Sequence, residues 1–106
     1  MIDVKDILLL IEAGQILWTE HLSVKLRERS IKRADVIACI QNGDIIEQYP
    51  DDFPLPSCLI LGYSVAEQPL HVVCGLNLGD SVFVITAYYP SLDTWEEDFR
   101  TRKKVD

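Results

Sequence analysis

Two histidines, His21 and His71, stand in a chain whose ten Lys and Arg residues fall almost wholly into two blocks, Lys25 to Arg33 and Arg100 to Lys104. These side chains match the needs of metal-free RNA cleavage. A base removes the 2'-hydroxyl proton, an acid protonates the leaving 5'-oxygen, and cations hold the charge that gathers on phosphorus. In that scheme His21 and His71 are the acid–base candidates, with Tyr88 or Tyr63 as a weaker acid or a platform for a stacked base. Lys25, Arg29 and Arg100 are the candidate phosphate clamps, and RNA is the matching ligand.

Each candidate also has a structural reading. His21 can bond within the first turn of a helix or pair with a carboxylate, and His71 can be a satisfied, partly buried strand residue. Lys25, Arg27 and Arg29 interleave with Glu20 and Glu28, as on a solvated helix face. Asp51 and Asp52 in a proline-rich loop solvate that loop or cap its donors. Trp18, Trp95 and Phe99 read as core or docking groups, and Arg100, Arg102, Lys103 and Lys104 as a frayed basic tail.

Composition bounds these readings. A chain of 106 residues, nearly half of them apolar, suits one domain over residues 1–106 with one core. A net charge of −7 argues against general affinity for nucleic acid, yet the segment from Ala34 to Phe99 holds eleven carboxylates and no cation. Charge is therefore segregated, and a local basic surface is compatible with the acidic total. Cys39, Cys58 and Cys74 lie in apolar stretches without metal-ligand spacing, so they read as buried reduced thiols, with no metal and no cofactor expected. The apolar run from Ile7 to Ile11 is too short to span a bilayer and follows Asp3, Lys5 and Asp6, so a cytoplasmic protein without membrane contact is expected.

The elements that must position these residues follow from spacing. An acidic start before Ile7, Leu8, Leu10 and Ile11 predicts a first helix ended by Gly14, then a brief extended piece from Gln15 to Trp18. Thr19 caps a second helix with Leu22 and Leu26 on its buried stripe and His21, Lys25 and Arg29 as a polar ridge beside it. A third helix runs from about Lys32 to Gln41 and stops at Asn42-Gly43. Strands follow at Ile45 to Tyr49, Ser57 to Tyr63, Leu70 to Leu76 and Ser81 to Tyr88, with Ile45, Glu47 and Tyr49 on one face of the first. His71, Val73 and Gly75 share one face of the third strand, opposite Leu70, Val72 and Cys74. After Pro90, Ser91 or Asp93 caps a short C-terminal helix anchored by Trp95 and Phe99. The sum is an α+β fold, N-terminal helices on a four-stranded antiparallel meander with a short helix at the end.

The combination of His21, Lys25, Arg29, Ile31, the run Asn42 to Asp52, Pro54, Pro56-Ser57, Leu59 and Leu61-Gly62-Tyr63 resembles a bacterial domain of unknown function, numbered 4258. Pro69 to Val73, Ile85 to Tyr88, Pro90, Trp95 and Arg100 fit the same pattern, over about residues 16–103. Lys25 and Ser30 stand where that family usually has Arg and Gly. The resemblance implies a layout similar to small ribonuclease toxins of the RelE, BrnT and MqsR kind, with a small antitoxin-like protein as partner. Two functions remain open at this point: a toxin component that cuts or binds RNA, and a non-catalytic interaction domain that uses its basic helix face.

Overall fold

The computed structural model describes residues 1–104, so the last two residues assigned to the single domain lie outside the described residues. Three helices come first, α1 (Val4–Glu12), α2 (Glu20–Glu28) and α3 (Arg33–Asn42), with the two-residue strand β1 (Ile16–Leu17) between α1 and α2. The strands β2 (Asp44–Tyr49), β3 (Ser57–Tyr63), β4 (Pro69–Asn77) and β5 (Ser81–Tyr88) follow as an antiparallel meander. No helix among the described residues is long and apolar enough to cross a membrane.

The helices start where the sequence supplies a local acceptor. Asp3 accepts from the Lys5 amide, and the Thr19 hydroxyl accepts from the Leu22 amide at 3.0 Å. Asp35 receives the Lys32 amide at 2.9 Å, half of a capping box. All three helices pack on one face of the sheet. Ile7, Leu22, Leu26, Val36, Cys39 and Ile40 meet Cys58 and Ile60 of β3, Val72 and Cys74 of β4, and Val82 and Val84 of β5. The Cys39 and Cys58 thiols, desolvated there, are pushed up to about 12.

The sheet has five strands rather than the four expected, in the order β1-β5-β4-β3-β2, and it is mixed. Ile16 and Leu17 pair in parallel with Val82 and Phe83. A parallel partner lies a whole crossover away in sequence, and two residues are too few to show a period. Two bulges then set which residues face outward. In β2 the register slips between Ile45 and Glu47, so Ile45 packs on the core while Glu47 and Tyr49 lie on the other face. This corrects the uniform alternation expected for Ile45, Glu47 and Tyr49. In β5 a slip around Ile85 leaves Val84 and Ala87 buried and aligns Thr86 with Val73 and Tyr88 with His71.

The expected C-terminal helix is absent. Residues 91–104 form instead a strap across the outer face of the sheet, with Trp95 and Arg102 paired in an antiparallel bridge. The reason is local competition. The Asp98 carboxylate accepts the Arg100 and Thr101 amides at 2.9 and 3.0 Å, which a continuing helix would need for its own carbonyls, and Phe99 adopts a left-handed φ of 56°. Arg100 and Arg102, bonded to Asp44 and Glu47, and the Lys103 backbone, bonded to Thr94, are therefore part of a docked structure and not of a frayed tail.

Close approach of α3 to β3 depends on two glycines. A Cβ on Gly62 would sit 2.2 Å from the Cys39 carbonyl oxygen, and one on Gly43 would sit 2.5 Å from that same oxygen. Gly43 is extended, so its role at the end of α3 is space and not a left-handed stop. Asn42 closes the junction by bonding both backbone groups of Tyr63, at 2.8 and 3.0 Å.

Candidate functional site

The outer face carries a connected polar cluster. β4 presents His71 there because the strand period puts it opposite Leu70 and Val72, and the strap then covers it completely. Its ring meets Trp95 edge-on at 4.6 Å and Tyr88 at 5.3 Å between centroids. Nε2 lies 2.8 Å from the Phe99 carbonyl oxygen, and Nδ1 lies 3.3 Å from the Tyr88 hydroxyl. A carbonyl only accepts, so Nε2 carries the proton, and in the neutral ring Nδ1 accepts from Tyr88. Burial lowers the His71 pKa below its ordinary value, while the Phe99 carbonyl and the nearby Glu47 charge partly oppose that shift.

Glu47, Tyr49 and Arg102 extend the cluster along β2. Arg102 donates Nε and Nη2 to the two Glu47 oxygens at 2.8 and 3.0 Å and stacks over Trp95 at 4.6 Å. Tyr49 donates to the same carboxylate. The Arg102 hydrogen bonds hold the Glu47 carboxyl below its usual range, and burial with the Glu47 contact pushes the Tyr49 phenol up to about 12. Further along, Arg100 pairs with Asp44. Arg100 is therefore an intramolecular partner of β2, on the opposite side of the sheet from the helices.

The predicted acid–base pair is not assembled. His21 is exposed on α2, in the helix layer, whereas His71 is sealed beneath the strap with both nitrogens engaged. Burial likewise raises the Tyr88 pKa, and its hydroxyl serves His71. The polar ridge on α2 also divides. Lys25 meets Glu28 at 3.7 Å, while Arg29 leaves the helix face and reaches β5, donating to the Ala87 carbonyl at 2.9 Å and the Thr86 hydroxyl at 3.1 Å. Of the predicted residues, the structure brings together His71 and Tyr88, with Arg29 at the edge of the same strand, and leaves His21, Lys25 and Arg100 apart.

Several members of the cluster carry no local signal in the sequence. Spacing alone makes Trp95 a helix anchor, Arg102 part of a tail, and Glu47 and Tyr49 members of a strand. The one usable signal was the two-residue spacing of Glu47 and Tyr49 on a strand. The turn between α2 and α3 matters as well. Ser30 takes a left-handed φ of 58°, standing where a glycine would be at ease, and this elbow carries Arg27, Lys32 and Arg33 on one side.

A family model described as a domain of unknown function (DUF4258) matches residues 18–89, from the residue before the α2 cap to the residue after β5. The strap and α1 fall outside that match, so the shared unit is narrower than residues 16–103. No curated protein and no solved structure matches the chain.

Proposed function

We propose, from the premise that the chain belongs to the DUF4258 family of domains of unknown function, that it is the toxin-like component of a bacterial pair and acts by binding RNA. The binding surface is the basic face of α2 and the α2–α3 elbow. One observation carries this reading, the different fate of the two cation blocks. The arginines of the C-terminal block are consumed by Asp44 and Glu47, and its Lys103 and Lys104, unpaired among the described residues, share a hollow with Asp93, whereas Arg27 and Lys32 in the first block make no ion pair among the described residues and line a hollow without a carboxylate. On a chain of net charge −7, a phosphate backbone is held only where cations are locally uncompensated.

Binding is favoured over two-histidine cleavage because His71 offers no free nitrogen. A second reading, a protein-interaction domain without catalysis, is supported by Val24, which is 41 % exposed among the cations of α2 and would suit an acidic amphipathic segment.

The test is binding of labelled single-stranded and structured RNA to the purified protein without metal, across a range of salt. The expected result is an affinity that falls steeply with salt, together with growth arrest on expression that the adjacent gene relieves. Absence of RNA binding even at low salt overturns the reading and leaves the interaction domain.

A further inference from the structure

The elbow between α2 and α3 borders an open surface hollow of about 500 Å³, large enough for a phosphate with its flanking sugars. Arg27, Lys32 and Arg33 line it together with the hydroxyls of Ser23 and Ser30, and no carboxylate does. Arg33 is already positioned. Its guanidinium stacks over Trp18 at 5.0 Å and reaches the Ser23 hydroxyl at 3.4 Å. Leu26 and Ile31 form a floor that belongs to the core, only 3 % and 4 % exposed, so the cavity rests on a fixed base.

We infer that this cavity is a phosphodiester-binding subsite for single-stranded RNA, an assignment that rests on the RNA reading above and names its anchor. The lining residues are the types that position a nucleic-acid backbone, guanidinium and ammonium for charge and the Ser30 hydroxyl for a directed hydrogen bond to a phosphate oxygen, while the Ser23 hydroxyl donates to the Thr19 carbonyl and accepts from Arg33. A protein partner would need an exposed apolar anchor at the centre, and the two apolar residues here are buried already. Arg27 and Lys32 face the cavity from either side of the left-handed Ser30, and together with Arg33 they suit a tetrahedral oxyanion.

The experiment compares the parent with Arg27→Gln/Lys32→Gln, two exposed positions, and with Lys103→Gln/Lys104→Gln as a control pair, using labelled oligouridylate over a salt series. Each lost phosphate contact should reduce the slope of log K against log salt by about 0.7, so the elbow pair should lose about 1.4 and the control pair nothing. Titration with inorganic pyrophosphate should shift the amide resonances of Ser23, Ser30 and Arg33. If the parent binds RNA and the elbow variant keeps its slope, the subsite is wrong while the RNA reading stands. If RNA does not bind but pyrophosphate shifts those amides, the cavity is an anion site for another ligand and both readings fall. Polyglutamate that binds as tightly as RNA, with the same loss in the elbow variant, reassigns the cavity to an acidic protein.

Discussion

Replacing Trp95 by alanine isolates what holds the strap to the sheet. Trp95 is 3 % exposed and sits between the His71 ring and the Arg102 guanidinium, yet it is outside the core cluster beneath the helices. Truncating a buried Trp costs about 3–5 kcal/mol where the surroundings stay in place. The remaining attachments are much weaker. The exposed Arg100–Asp44 pair gives about 0.2–1 kcal/mol, and the bidentate Arg102–Glu47 pair, exposed on its arginine side, stands at or above the top of that range. The cheaper response is therefore detachment of the strap while the sheet and helices stay folded, an opening below the global unfolding free energy.

Amide exchange and the His71 ring together test this. In the parent the Glu96 amide donates to the Thr101 carbonyl at 2.8 Å and the Lys103 amide to the Thr94 carbonyl at 2.9 Å, so both should be protected. In Trp95→Ala those two should lose protection while the amides of Ile60 and Val72 keep theirs. The His71 ring, relieved of the burial that depresses its pKa, should titrate at a higher pH than in the parent. Trp95→Phe should behave more like the parent. Refutation would be an alanine variant whose Glu96 and Lys103 amides remain protected and whose His71 titrates as before.

Acid should loosen the same contact. His71 has its folded pKa depressed below 6.5 and Glu47 below 4.5, so each contributes stability that is present above its ordinary value and lost as pH falls through the folded one. In a Trp18→Phe background, Trp95 emission should shift to the red between about pH 7.5 and about pH 4, and a strap held more firmly at the acid end contradicts the assignment. Gly62→Ala should cost on the order of 1–3 kcal/mol in urea unfolding, since the new Cβ meets a helix carbonyl at 2.2 Å; a neutral result would mean α3 can shift freely. Leu26→Ala should cost about 2–5 kcal/mol, and a loss below about 1 would contradict its place in the core. A disulfide thiol reagent should leave Cys39, Cys58 and Cys74 unmodified in the native protein and label all three after denaturation.

What the sequence revealed and what it hid divide along contact range. The Thr19 cap, the Leu22/Leu26 stripe and the opposite faces of His71 and Val72 depend on residues within about four positions, which a period of 3.6 or 2 exposes directly. The β1–β5 pairing, the Arg100–Asp44 and Arg102–Glu47 pairs and the Trp95–His71 contact join residues far apart in sequence, and no local pattern announces them. The missing final helix is an intermediate case. Asp98 with Thr101 was a legible alternative to helix, because an aspartate that bonds backbone two and three residues ahead favours a turn.

That division also decides which cations stay uncompensated. Had Arg100 and Arg102 been free, the outer face beside His71 and Tyr88 would carry two uncompensated guanidinium groups; paired with Asp44 and Glu47, they help pin the strap over it instead. The elbow keeps its charge for the complementary reason. Asp35, the carboxylate nearest to Lys32 and Arg33 in sequence, spends both oxygens elsewhere, one on the Lys32 amide at 2.9 Å and the other on the Val65 amide at 3.1 Å. Glu28 is directed at Lys25. Capping α3 therefore draws Asp35 into the adjoining hollow that it shares with Ser30 and Lys32, and the folding of that helix start leaves Arg27, Lys32 and Arg33 without a carboxylate in the cavity they line.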